Sequence, residues 1–332
     1  MKRWFSIILF VAILLVPGFI LPRFDVKAVT ASVAVKPEVL FELEWGGLAF
    51  PVSNTLFTSW IVMLLIVLFA FTATRKMALV PSGWQNVLET IIEALYNLCE
   101  SAAGGRAKKF FPIVATIFLF VLVSNWLGLI PGFGPIGIIP VAENHHPPEG
   151  IVTFDLPHVV QEFFGPKHES GEAEMILAPF VRSPSTDLNT TIALALIAMV
   201  LTQIFGMQAM GVVKYWFARF FMVGKFAEFF KSLFNGKPQF GLLVYGLLDL
   251  FVGILEFISE VSKILSFTFR LFGNIFAGEV VLLVMAFLFF ALPFPFYALE
   301  IFVGFIQAFV FAILTLIFMT IATTAHGAEE HH

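Results

Sequence analysis

The sequence predicts an all-α integral membrane protein with several spans, and three observations carry that prediction. The 332 residues are 59% hydrophobic and only 13% charged, with a mean hydropathy of +0.94. Apolar runs of about 18 residues or more recur along the chain, each enough to cross ~30 Å of hydrocarbon as a helix. Lysines and arginines segregate between alternate connecting segments: twelve lie in residues 1–3, 73–110 and 214–240, against five in 23–54 and 131–186. The first set is therefore placed inside and the second outside. One cysteine, Cys99, excludes an internal disulfide framework and a cysteine-based metal site. The 43 Phe against four Tyr are expected to be lipid-facing bulk.

Residues 1–22 join a basic start, Lys2 and Arg3, to an apolar core, the pattern of a secretory signal that is either cleaved or kept as an anchor. Residues 23–54 follow on the outside. Thr55–Thr72 is a clean first span. Within 81–105, Trp84, Val87, Leu88, Ile91, Ile92, Leu95 and Leu98 recur at spacings of three and four among glutamates, which predicts an amphipathic helix on the inner surface. A second span, about Phe111–Ile130, ends at Pro131-Gly132 and completes the region 55–130. The proline-rich outer loop 131–187 is acidic, the third span covers 188–213, and 214–240 is a basic inner loop. The apolar stretch 241–292 would make a helix of ~78 Å, so two short spans or one strongly tilted helix both fit. After Pro293 and Pro295 a last span, Phe296–Thr324, leads to a polar tail, 325–332.

The chemistry is concentrated in this last third. Arg270 sits inside an apolar run, where a guanidinium cannot shed its charge and costs at least ~2.5–3.5 kcal/mol against lipid. Asp249, Gly253, Glu256, Glu260, Lys263, Phe267, Arg270 and Asn274 keep helical spacing, a stripe that must face protein or water. Glu260 and Lys263, three apart, also suit a plain intrahelical ion pair. Glu279, ~180° round from Arg270, points into the chain's own bundle. In the last span Glu300, Gly304, Gln307 and Thr315 share one face. An antiparallel hairpin would bring Glu279 and Glu300 to similar depth. Two adjacent acids are not expected to be ionised together, which suits a proton relay. Carboxylates thus approach Arg270 from both directions along the chain, the layout of two proton half-paths separated by a fixed positive charge.

The string FRLFGNIFAGE around Arg270, Glu256 fourteen residues upstream, and Gln307-Ala308-Phe309 resemble subunit a of the F-type ATP synthase. The resemblance also covers SNWLGLIPG (124–132) and PSTDLNTTIALAL (184–196). It implies a stator subunit whose long tilted helix hairpin, about 241–324, packs against a rotating c-ring. It also implies a bacterial plasma-membrane location with a cytoplasmic C-terminus, peripheral-stalk b subunits and a soluble ATPase head as partners, and no cofactor. By the resemblance Arg270 faces the ring carboxylate. Asn274, Glu279, Glu300 and Gln307 belong to the outer half-path and Glu256 to the inner one. Asp187 and Asn189 match polar family positions of less defined role, and Asp249 and Glu260 are further candidates on the stripe.

Two other readings compete. An independent secondary transporter with an intramembrane acid relay would show internal repeats and broken helices, and no repeat is found. A passive scaffold would not need Arg270. The sequence has no GxxxxGK[ST] phosphate loop, GxSxG or HExxH, so nucleotide chemistry is assigned to a partner. The loop histidines His145, His146, His158 and His168 are irregularly spaced and are expected to be solvated rather than metal-bound.

Overall fold

The computed structural model describes residues 37–45, 48–75, 77–80, 83–130, 137–138, 178–179, 181–220, 224–234, 240–288 and 293–324. The signal-like N-terminus, most of the outer loop with its four histidines, and the polar tail lie outside these residues. The described elements are almost all helical, and five of the helical segments are long and apolar enough to cross a membrane.

Two strands come first, β1 (Val39–Trp45) and β2 (Leu48–Ser53), antiparallel with Val39 opposite Ser53 and Trp45 opposite Leu48. A bulge at Leu40 turns that side chain inward, where it is buried along with Val52. The hairpin runs directly into α1 (Asn54–Thr74), a 21-residue span without a charge. Ser53 caps it, its Oγ accepting from Leu56 N at 3.3 Å.

The amphipathic helix α2 (Trp84–Ala103) is bounded by Gly83 and Gly104, both at positive φ near 60°, which a side chain would strain. Only its Gln85, Leu88, Leu95 and Cys99 line is buried, and Trp84, Val87 and Ile92 are exposed. After one 3₁₀ turn, α3 (Ala107–Gly128) forms the second span, and α4 (Leu188–Met210) the third. A short antiparallel pair, β3 (Gly137–Ile138) with β4 (Ala178–Pro179), and a 3₁₀ turn, Pro184–Thr186, lie between them. The basic inner loop holds two helices that periodicity in so short a segment does not announce, α5 (Val212–Arg219) and α6 (Gly224–Phe234).

The alternatives for residues 241–292 resolve to one uninterrupted helix, α7 (Phe240–Leu288). Its 49 residues span ~73 Å, so across ~30 Å of hydrocarbon it is steeply tilted or extends well beyond it. The last helix, α8 (Pro293–Thr323), starts on the prolines, where a missing N–H costs nothing.

These elements fall into two compact units. One comprises residues 1–72, 119–190 and 271–308, and it holds the hairpin, the 3₁₀ turn and the Glu279 and Glu300 segments. In it Asn125 Nδ2 donates to Gly304 O (3.1 Å) and Trp126 Nε1 to Ile301 O (3.0 Å), which joins α3 to α8. The other comprises residues 73–118, 191–270 and 309–332. Phe267 packs edge-on against Phe311 at 4.7 Å between centroids, and Arg106 Nη1 donates to Thr323 Oγ1 (3.0 Å) in the last turn of α8. A cation there also complements the helix dipole.

Candidate functional site

The polar stripe of α7 does not behave as one face. Its buried line runs Gly246, Gly253, Glu260, Phe267, then Leu271, Ile275 and Gly278. Up to Phe267 this coincides with the stripe read from sequence, so Glu256, Glu260 and Lys263 turn toward this chain's own helices. Beyond Phe267 the packed line takes the four-residue step to Leu271. Arg270 and Asn274, on the three-residue step, are left exposed. A step of three turns ~60° one way and a step of four ~40° the other, so the two lines diverge there.

In the unit that holds residues 191–270, Arg219 at the end of α5 is 8% exposed and bound on three sides. Its Nε donates to Glu256 Oε1 at 3.0 Å, its Nη2 lies 2.9 Å from the same oxygen, and its Nη2 also pairs closely with Glu260 Oε1. Its Nη1 donates to Tyr215 OH at 2.8 Å, and that hydroxyl donates to Gln203 Oε1 on α4. Glu260 further accepts from Gln203 Nε2 (3.0 Å) and Lys263 Nζ (2.7 Å). The intrahelical Glu260–Lys263 pair expected from spacing is thus present, inside a larger network. What lets α5 come this close is Gly253: a Cβ there would lie 2.2 Å from Phe220 O. Two acids and two bases balance, and Glu256 keeps a partly exposed side chain while Glu260 does not. Asp249 is half-buried on the same helix.

Arg270 contrasts with Arg219. It is exposed, and the one hydrogen bond it shows among the described residues is from Nη2 to Ser266 Oγ, at 3.5 Å on its own helix. Such a guanidinium presents almost its whole donor fork outward.

In the unit that holds residues 271–308, Arg182 is 6% exposed and donates to Glu279 Oε2 from Nε (3.3 Å) and Nη2 (3.2 Å). Its backbone is pinned by Thr58 Oγ1 (3.2 Å), and the next residue, Ser183, donates to Ser124 O (3.1 Å). Glu300 is buried, and its carboxylate occupies the space over Gly278, where a Cβ would lie 2.2–2.6 Å from its carboxyl atoms. Glu300 is thus packed against the residue that precedes Glu279 in α7. Gln307 is half-buried on α8 and Asn274 exposed on α7. Asp187 is buried and joins two helices. Its Oδ2 accepts from Thr55 Oγ1 (2.8 Å), and its Oδ1 caps α4 by accepting from Asn189 N (2.9 Å). Asn189 itself is exposed.

Sequence reasoning misses Arg182 and Arg219 as site residues, because a count of charges by segment makes both of them ordinary loop cations. The signal available for Arg219 is Tyr215 one turn earlier in a short amphipathic segment, and for Arg182 its place two residues before Pro184. Among the described residues no group of three or more His, Cys, Asp or Glu side chains is arranged to hold a metal ion.

The family profile described as ATP synthase A chain matches residues 56–320. ATP synthase subunit a of Moorella thermoacetica is 30% identical over 294 residues, covering 88% of this chain and 98% of the relative. Subunit a of Gloeobacter violaceus is 31% identical, covering 84% and 86%. Subunit a 1 of Pelobacter propionicus is 29% identical, covering 79% and 83%.

Proposed function

We infer the function from one premise: the chain belongs to the ATP synthase A chain family. We propose that it is the proton-translocating stator subunit of the membrane sector, working against a ring of c subunits in a bacterial plasma membrane. Its C-terminus is cytoplasmic, and b subunits and the soluble ATPase head complete the complex. The observation that carries this reading is the exposed Arg270 on an otherwise apolar helix surface. An uncompensated guanidinium at membrane depth calls for an acceptor from outside the chain, and a ring carboxylate supplies one.

In this reading a proton moves along Asn274, Glu279, Glu300 and Gln307 to the ring carboxylate. Ring rotation carries it round, and it leaves past Glu256. Arg270 favours loss of the proton from the carboxylate that faces it and bars direct passage between the two paths. Glu260 is an anchor for Arg219 more than a relay group, because its oxygens are already engaged by three donors. Asp187 and Asn189 support the outer path by fixing where α1 and α4 begin. The unbroken course of α7 speaks against the independent transporter, which would place a broken helix at its ion site.

The test compares wild type and Arg270→Ala in inverted membrane vesicles after blotting confirms an assembled complex. Loss of ATP-driven acidification, with passive leak altered, is the expected result. Normal pumping by the variant would overturn the reading.

A further inference from the structure

One carboxylate that neither the resemblance nor the spacing singles out is Glu38. It stands at the foot of the N-terminal hairpin, where its carbonyl accepts from Asn54 N at 2.9 Å and so fixes it to the start of α1. Its side chain is half-buried, and one of its oxygens, Oε2, is fully enclosed without a hydrogen-bond partner among the described residues. An enclosed, unpaired carboxylate oxygen is costly as an anion and tolerable as part of a neutral carboxyl.

The start of α1 links it to two charged side chains: Asn54 binds the Glu38 carbonyl, Thr58 one turn later accepts from Arg182 N, and the Arg182 side chain in turn holds Glu279 of α7. Burial pushes the Glu38 carboxyl above the usual carboxylate range; the Arg182 guanidinium opposes this and the Glu279 carboxylate adds to it. Arg182 is bonded to Glu279 by two hydrogen bonds, and its charge does not outweigh burial at Glu38.

We propose that Glu38 is a further proton-carrying residue of the outer path, taking a proton from the aqueous phase and passing it to Glu279, so that the N-terminal hairpin is a working part of the channel. The transfer balances: the proton leaves the Glu38 carboxyl, the Glu279 carboxylate receives it, and Arg182 stays charged throughout. Glu38 is then recharged from water. This rests on the proton-channel reading above.

The experiment uses membranes carrying the assembled complex. Passive proton flux, after removal of the soluble head, is measured against the pH of the outer compartment for wild type, Glu38→Gln, Glu38→Asp and Arg270→Ala. Glu38→Gln keeps the shape of the side chain and is expected to lower flux several-fold and to remove one ionisation from the pH profile. Glu38→Asp keeps a carboxyl and is expected to retain that ionisation at a displaced midpoint. It also serves as the test if Glu38→Gln does not assemble. Unchanged flux in Glu38→Gln, or lower flux with an unchanged profile, would overturn the proposal and leave Glu38 a structural residue. An unchanged midpoint in Glu38→Asp would do the same. Arg270→Ala separates the two claims. If its ATP-driven pumping, recorded before the soluble head is removed, is normal, the channel reading itself fails. If it is inactive while both Glu38 variants match wild type, only the role of Glu38 fails.

Discussion

The Arg182 and Arg219 clusters use the same parts, an arginine from a connecting segment and a glutamate from α7, yet their charges are balanced differently. Around Arg219 stand Glu256 and Glu260, with Lys263 as a second cation and Tyr215 and Gln203 filling the remaining hydrogen-bond positions. Arg182 holds Glu279 alone, while Glu38 has no ion pair among the described residues and Glu300 lies buried over Gly278. A balanced, fully bonded set holds its protons fixed and locks helices together. A set with more acids than bases can take up and release protons. Under the proposed function the first cluster would fix helices and the second would conduct, with Glu256, the partly exposed acid, as the exception at the edge of the first.

The largest effect that would sharpen this contrast is expected from Arg219→Leu. It leaves the buried Glu260 with Lys263 alone and Glu256 without a cation, a loss of ~3–5 kcal/mol. The chain should fail to accumulate in membranes, or the purified complex should melt at a much lower temperature. Gly253→Ala comes next, because its new Cβ would meet a backbone carbonyl that cannot rotate away. A thermal shift corresponding to ~1–3 kcal/mol is expected. Gly278→Ala makes a useful counterpart: there the obstacle is the mobile end of Glu300, so stability should change little while proton flux falls.

Arg182→Gln is expected to cost only ~1–2 kcal/mol, since Glu279 is partly exposed and is not left fully desolvated. Its signature would be an altered pH profile of proton flux. Equal destabilisation by Arg219→Leu and Arg182→Gln would break the comparison. The smallest change belongs to Lys263→Met, at most ~1 kcal/mol, because Arg219 and Gln203 continue to hold Glu260.

Much of the fold is legible in the sequence because bilayer depth and charge bias act on whole segments. The spans around 55–72, 111–130 and 188–213 and the amphipathic helix after Gly83 follow from composition and period alone. The hairpin Val39–Ser53 has a signal in the two glycines at 46 and 47 between apolar strands, but it is too short to stand out beside the hydropathy of the spans. Hydropathy does not decide the single helix α7, since 52 apolar residues suit one helix or two. The polar stripe is right in its spacing and too simple in its direction. Periodicity tells which residues share a face, and it does not tell which neighbour covers that face. Arg219 and Arg182 are invisible for the same reason: each gains its meaning from a partner far away in sequence, 37 residues for Glu256 and 97 for Glu279.

The central claim is that the exposed face around Arg270 meets the c-ring. In a Cys99→Ser background, Ser266→Cys is exposed one turn before Arg270, and Thr268→Cys is buried on the same helix. Each is paired with a cysteine one turn from the ring carboxylate on the c subunit, and disulfide formation is scored in native membranes. A cross-link from position 266 and none from 268 is the predicted result. A cross-link from 268 alone, or from neither in an assembled complex, would contradict it.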